Sequence, residues 1–390
     1  MNDKILIKKY SDNITEELRS INFSESYIKS AEKKLEVFKL KVFNLKPAEA
    51  NILKQTCLSL GFDAMVSRDA VTCKCEKSGA LLCGTVSQLE KLCESLYKQP
   101  FRLKTLSNDI ENILHAPNTY EIKNKIFDFS KTYLMGILNI TPDSFSDGGK
   151  NYNTNDAFIS AVQMINDGAD IIDIGGESTR PSASPVPFEE EIERVIPVIK
   201  KIRSVNQSIV LSIDTIHPET AVAALSEGVD ILNCVCDISV FKPIFPILAE
   251  KKTPVVITHS ACIPPQPVNE DFDGDIVEHV FNFFDDKISK LREEGLKENL
   301  LILDPGIGFG KSINDQFELI KRADEFQTLG CPVLYGISRK SFISKSFGEN
   351  CRDEATLCYD NYLMFKKVNI QRVHDVKKHN DLRNYLSKIL

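Results

Sequence analysis

The 390-residue chain contains no apolar run approaching the ~18 residues of a membrane-spanning helix. Its first residues, Met1-Asn2-Asp3-Lys4, lack the basic start and apolar core of a secretory signal. It has no C-x-x-C pair. Cys73-Lys74-Cys75 and Cys234-Val235-Cys236 sit at C-x-C spacing, which is not that of common zinc sites, and both are expected to be buried or incidental thiols. The cysteines number 11, an odd count scattered through candidate strands and helices, which suits a reducing cytosol better than a disulfide framework. Positive charge is not in excess either: the net charge of −7 argues against a nucleic-acid partner. Low-complexity segments are absent. The expectation is a cytoplasmic globular protein with small-molecule partners, no nucleic acid and no membrane.

What remains is ordinary in bulk, 42% hydrophobic and 26% charged, but uneven along the chain. Up to Ile122 there are 18 Lys and Arg against 16 Asp and Glu, so the acidic excess lies wholly in the remainder. An anionic ligand bound there would need a local basic cluster, not a global field. From about residue 130, strand-like apolar runs alternate eight times with amphipathic helical ones. The strand candidates are Leu134–Leu138, Ile171–Ile174, Val210–Ile213, Ile231–Leu232, Val255–Ile257, Leu300–Leu303, Val333–Tyr335 and Ile370–Val373. Helical stretches such as Asp156–Asp167, Glu189–Ile202, Glu219–Glu227, Ile276–Glu294 and Ala355–Lys366 lie between them. Eight βα units in roughly 260 residues fit an α/β fold of the closed (β/α)8 type, a TIM barrel. An open doubly wound sheet is the alternative.

Residues 1–122 break that rhythm. Strand-like Glu36–Phe43, a helix from Pro47 to Leu60, β-like Val71–Cys75 and Leu81–Gly84, a helix from Ser87 to Tyr97 and β-like Phe101–Lys104 read as β-α-β-β-α-β. That order predicts a small ferredoxin-like α+β domain over 1–122 ahead of a barrel over 123–390, with Asn108–Asn118 as part of the link. No catalytic motif occurs in it.

In such barrels chemistry gathers at the carboxyl ends of the strands. The first strand ends at Asn139 and runs into a polar loop with Thr141, Asp143 and Asp147. The second ends in Gly175-Gly176-Glu177-Ser178-Thr179-Arg180-Pro181, the third in Asp214-Thr215 and the fourth in Asn233. The fifth gives Thr258-His259, the sixth Asp304-Pro305-Gly306, the seventh Ser338-Arg339-Lys340 and the eighth Arg372-Val373-His374-Asp375. Arg180, Lys340, Arg372 and His374 suit a phosphate or diphosphate. Asp214, Asn233 and Asp304 suit the donor and acceptor edge of a pterin-like or purine-like heterocycle. Gly306-Ile307-Gly308-Phe309-Gly310-Lys311-Ser312 is not a P-loop, because Pro305 stands where the first glycine belongs. It reads instead as a loop whose bare backbone lets a flat ligand approach.

Six blocks in order carry a resemblance to a known family: Gly136-Ile-Leu-Asn-Ile-Thr-Pro-Asp-Ser-Phe-Ser-Asp-Gly-Gly149, Gly176-Glu-Ser-Thr-Arg-Pro181, Ser212-Ile-Asp-Thr215, Asp304-Pro-Gly-Ile-Gly-Phe-Gly-Lys311, Ser338-Arg-Lys-Ser-Phe342 and Arg372-Val-His-Asp375. They resemble the dihydropteroate synthases, sulfonamide-targeted transferases of folate biosynthesis, from about Tyr133 to the end. The amino-terminal segment resembles an extension of some clostridial and archaeal members. The resemblance implies condensation of 6-hydroxymethyl-7,8-dihydropterin diphosphate with 4-aminobenzoate, release of pyrophosphate, Mg²⁺ as cofactor and a homodimer. By position it implies that Asp214, Asn233, Asp304 and Lys340 hold the pterin, with Asp214, Asp304 and Lys340 as catalytic groups. Asn139, Thr179, Arg180, Arg372 and His374 would surround the diphosphate, Asn139 also as the metal ligand. Phe145, Pro181, Phe309, Lys340 and Ser341 would line the 4-aminobenzoate pocket, and loops 140–150 and 177–188 would close over the site.

The chain departs from the family pattern in three places: Cys234 where Asp usually follows the asparagine, Thr258-His259-Ser260 for Met-His-Met, and Ser182 for Gly. The first would remove a carboxylate from the site and the second would make the pocket wall more polar. Competing readings are a pterin-binding methyltransferase barrel, an aldolase with Lys340 as Schiff-base lysine, and a paralogue that binds pterin without turning it over.

Overall fold

The computed structural model describes residues 7, 14–116, 119–123, 125–140, 150–177, 186–260, 272 and 274–389. Two compact units divide the chain, Met1–Ala116 and Pro117–Leu390.

In the first unit, strands β1 (Val37–Leu45), β2 (Asp63–Val66) and β3 (Ser78–Thr85) form an antiparallel sheet in the order β1-β3-β2. Helix Pro47–Ser59 joins β1 to β2, with β3 inserted between them, so the unit is α+β as expected but its sheet has three strands in place of the four of a ferredoxin-like order. Two expected strands are not strands. Phe101–Lys104 leads into helix Leu103–Leu114, whose Leu103, Ser107 and Ile110 are buried at helical spacing. The expected link over 108–118 is therefore mostly the rest of that helix. Val71–Cys75 follows a one-turn helix, Arg68–Val71, capped by the Ser67 hydroxyl accepting from the Asp69 amide. The second strand lies earlier, at Asp63–Val66, pairing with Ala80–Cys83 of β3. The buried Glu49 carboxylate knits the unit together. It accepts from the Lys46 amide at 2.7 Å and from the Arg102 guanidinium at 2.6 and 3.0 Å.

The second unit opens on a short hairpin, β4 (Tyr120–Ile122) with β5 (Lys125–Phe127), and continues into eight parallel strands. These are β6 (Tyr133–Asn139), β7 (Ile171–Gly175), β8 (Val210–Asp214), β9 (Ile231–Cys234), β10 (Val255–Thr258), β11 (Leu301–Asp304), β12 (Leu334–Tyr335) and β13 (Ile370–Val373). They neighbour one another in the order β11-β10-β9-β8-β7-β6-β13-β12, and a parallel bridge from Leu303 to Val333 joins the ends. The result is the expected (β/α)8 barrel.

Strands with both faces covered read as continuous apolar runs, which is why they were visible in the sequence. Their side chains alternate between two environments. One set, including Leu134, Ile172, Leu211, Leu232, Ile257 and Leu303, packs against the surrounding helices. The other set, Met135, Ile171, Val210, Ile231, Val256, Ile302, Leu334 and Ile370, forms an apolar layer with Tyr120, Ile122, Phe127 and Tyr133. The hairpin thus closes the amino-terminal end of the barrel, with the Phe127 and Tyr133 rings 4.5 Å apart. Among the described residues no helix is long and apolar enough to cross a membrane.

Candidate active site

Two residues beyond that apolar layer, on the same inward face, the strands carry Asp173, Ser212, Asn233, Thr258, Asp304 and Arg372. A further step along β8 gives Asp214, and β6 ends in Asn139. The interior therefore changes from hydrocarbon to ionic within one pleat. Asp173, Asp214, Asn233 and Asp304 are all buried.

Arg372 is the hub. Its guanidinium donates through Nε to Asp173 Oδ2 and through Nη2 to Asp214 Oδ2, both at 2.6 Å. Asn233 Nδ2 donates to the same Asp173 oxygen at 3.0 Å. Asp173 was not among the residues singled out from sequence, although a carboxylate inside the apolar run Ile171-Ile172-Asp173-Ile174 was a signal available there. Its second oxygen has no hydrogen-bond partner among the described residues.

Burial pushes the Asp214 carboxyl up to about 7, an effect Arg372 opposes and Asp173 reinforces. Burial also raises Asp304, whose Oδ1 accepts from the Gly306 amide at 2.8 Å. Lys340 moves the other way, down to about 8, because burial and the neighbouring Arg372 outweigh the attraction of Asp304 and Asp214. Its ammonium lies 4.4 Å from the Phe309 ring centre, a cation–π contact. Asp214 and Lys340 are thereby brought near neutral pH at the end of the barrel where such folds do chemistry.

The glycine-rich loop supports them. Gly306, Gly308 and Gly310 have φ of +70°, +88° and +68°. An added Cβ on Gly306 would run into the His259 carbonyl oxygen, and one on Gly308 would meet Lys340 Cδ at 3.0 Å. Lys311 turns back into the loop and donates to the carbonyls of His259 and Gly306 at 2.9 Å and of Phe309 at 3.3 Å. A P-loop lysine would instead point outward to phosphate.

His374 follows β13, and its Nδ1 is 3.0 Å from the Ser338 hydroxyl at the end of the seventh unit. Ser341 opens helix Ser341–Phe347 and is exposed. Gly175 keeps space beside Asn139, whose Oδ1 an added Cβ would meet at 3.3 Å. Phe145, Thr179, Arg180 and Pro181 lie outside the described residues, as do Thr141, Asp143, Asp147 and Ser182 and most of both expected closing loops.

One of the departures has a structural reading. Cys234 alternates with Asn233 and belongs to the apolar layer between strands and helices, so the inward carboxylate cluster does not include its position. The His259 ring stacks edge-on against Phe283 at 4.8 Å and His279 at 5.5 Å. Burial and the neighbouring Lys311 lower its pKa to about 3, leaving it neutral. Among the described residues no cluster of three or more His, Cys, Asp or Glu could hold a metal.

Residues 135–374 match the family model described as pterin binding enzyme. A dihydropteroate synthase of Streptococcus pyogenes serotype M3 is 42% identical over 261 residues, 66% of this chain and 95% of the relative. A probable bifunctional folylpolyglutamate synthase/dihydropteroate synthase of Haloferax volcanii is 38% identical over 345 residues. That match covers 84% of this chain and so reaches into the first unit, while the chain spans only 40% of that relative's length. Among solved structures, the dihydropteroate synthase of Clostridium difficile, in the presence of pteroic acid, is 40% identical with a TM-score of 0.62, covering 67% of this chain and 97% of the other. The Xanthomonas albilineans enzyme with 4-aminobenzoic acid is 34% identical with a TM-score of 0.64, covering 70% and 98%. With the ionic cluster lying inside the matched span, the chain belongs to the pterin binding enzyme family, among the dihydropteroate synthases of folate biosynthesis.

Proposed function

We propose that the barrel mouth joins a dihydropterin diphosphate to 4-aminobenzoate and that the buried cluster of Asp214, Asn233, Asp304, Lys340 and Arg372 carries the reaction. The observation behind this reading is the convergence of two carboxyls, an amide and two cations on a single inward rim, all backed by an apolar floor.

In the reading, Asp214, Asn233 and Asp304 accept from and donate to the pterin ring edge, and Lys340 donates to it. Departure of pyrophosphate breaks the C–O bond and leaves positive charge on the pterin methylene and negative charge on the leaving group. Fixed carboxylates at the ring stabilise the first, and Arg372 and His374, with Thr179 and Arg180, stabilise the second. The arylamine of 4-aminobenzoate then attacks the methylene carbon, forming the C–N bond, and the amine proton is lost. No protein nucleophile takes part, so Lys340 serves as a charge and not as a Schiff base. Phe309, Pro181, Phe145 and Ser341 line the aminobenzoate side. Asn139 offers a hard amide oxygen at the end of β6, the donor type Mg²⁺ takes when most of its shell comes from phosphate and water. Such an ion would neutralise diphosphate charge.

The test is pyrophosphate release by the purified full chain, with pterin diphosphate, Mg²⁺ and 4-aminobenzoate each omitted in turn. Release that requires all three is expected. Pterin binding without release would make the chain a binding paralogue.

A further inference from the structure

Cys234 and Cys236 differ from the other described cysteines in lying against each other. Their sulfurs are 3.4 Å apart, and Cys234 Sγ also donates to the Cys236 carbonyl at 3.2 Å. Both are buried, Cys236 retaining 6% of its surface. Cys234 is the last residue of β9, directly after Asn233, and Cys236 lies in the connection that follows. The residue just before Cys234 is tied to the site. The Asn233 carbonyl accepts from the Thr215 amide at 3.3 Å, next to Asp214, and the Asn233 side chain is held on Asp173 at 3.0 Å.

We propose that Cys234 and Cys236 are a peroxide-sensitive dithiol whose closure to a disulfide re-aims Asn233 and weakens the pterin end of the site. The consequence for catalysis rests on the functional reading above; the dithiol itself does not.

The geometry assigns the two thiols different roles. The hydrogen bond from Cys234 lowers the Cys236 thiol below its ordinary range, while burial raises Cys234. Cys236, with the lower pKa and the residual exposure, is the nucleophile. Its thiolate attacks one oxygen of hydrogen peroxide, the O–O bond breaks, and the products are a sulfenic acid and hydroxide, which takes up the proton released by the Cys236 thiol to give water. Cys234 then attacks that sulfur, losing its proton to the departing hydroxide, so that a disulfide and a second water form. Two thiols are oxidised by two electrons and one peroxide is reduced to two waters. Peroxide is small enough for a site with so little exposed surface. The sulfurs must draw together from 3.4 Å to a bond of about 2.0 Å. In a three-residue segment that shortening falls on the backbone immediately after Asn233.

The experiment treats the full chain with hydrogen peroxide, alkylates it under denaturing conditions and maps the tryptic peptide 204–251. That peptide contains these two cysteines and no others. The expected result is an unalkylated peptide two hydrogens lighter, restored by reductant. In parallel, KM for the pterin diphosphate should rise about tenfold, the scale of one lost polar contact, with a smaller change in kcat. Cys236→Ser should keep the KM of the reduced protein in peroxide. Recovery of two alkylated thiols after peroxide treatment overturns the dithiol, whatever the activity. A disulfide with unchanged KM overturns the link to Asn233, as does a Cys236→Ser protein that peroxide inactivates equally. If the reduced chain shows no turnover, the functional reading fails, while the peptide map still decides the dithiol.

Discussion

The two ends of the barrel are built from the same eight strands, yet one is hydrocarbon and the other ionic. At the amino end Met135, Ile171, Val210, Ile231, Val256, Ile302, Leu334 and Ile370 meet the hairpin residues Tyr120, Ile122 and Phe127. Two residues later, six of those strands present Asp173, Ser212, Asn233, Thr258, Asp304 and Arg372. The apolar end supplies stability and a dry floor. The ionic end is costly: burial works against the charged form of Asp214, Asp304 and Lys340 alike. A closed sheet lets one element serve both purposes, because a two-residue step along a strand keeps the face and changes the layer.

If this division of labour holds, damage at the two ends should separate stability from turnover. The largest stability effect is expected at the floor. Phe127 is fully buried, and Phe127→Ala should cost about 3–5 kcal/mol in denaturant unfolding of the barrel, with kcat of the folded fraction nearly unchanged. A marked fall in kcat per folded molecule would break the comparison.

Gly306→Ala tests the join between support and site. The left-handed φ and the His259 carbonyl both oppose a side chain there. A cost of about 1–3 kcal/mol is expected, together with reduced kcat/KM, since the loop carries Phe309 and borders Lys340. Unchanged kinetics would show that the loop does not set the site.

The pH profile sharpens the ionic side. Asp214 gains its charge as pH rises through about 7, and Lys340 loses its charge above about 8. If both must be ionised, kcat/KM climbs to a narrow maximum between those values and falls on either side. A flat profile from pH 6 to 9 would remove both groups from the rate-determining charge balance.

The smallest effect is expected outside the barrel. Arg102 and the Lys46 amide hold Glu49 down to about 2. The stability this gives the first unit is complete above the ordinary carboxyl pKa and is lost as pH falls through about 2. Glu49→Gln should lower its unfolding temperature by a few degrees and remove that acid dependence, without altering turnover. An unaltered acid transition would place the dependence elsewhere.

The barrel was legible in the sequence because burial on both faces leaves unbroken apolar runs, and the rim because the residue ending each run is polar. Asp173 escaped notice for the same reason. It stands inside an apolar run, and only the closed sheet reveals that its face becomes the ionic layer. The first unit was less legible because its short runs are ambiguous between strand and helix. Phe101–Lys104 has strand-like composition, but Leu103, Ser107 and Ile110 needed a helical period to be buried. Likewise, Cys234 was expected to cost the site a carboxylate, whereas the alternation along β9 places it in the outer apolar layer.

The most direct test of the account is steady-state pyrophosphate release by Asp214→Asn in the full chain. An asparagine oxygen can still accept from Arg372, so the substitution removes the charge while sparing the packing. The account predicts a loss of ~10²–10³ in kcat, the scale of deleting one preorganised electrostatic contact in an active site. Near-normal release would contradict it and show that the ionic end of the barrel does not drive the reaction.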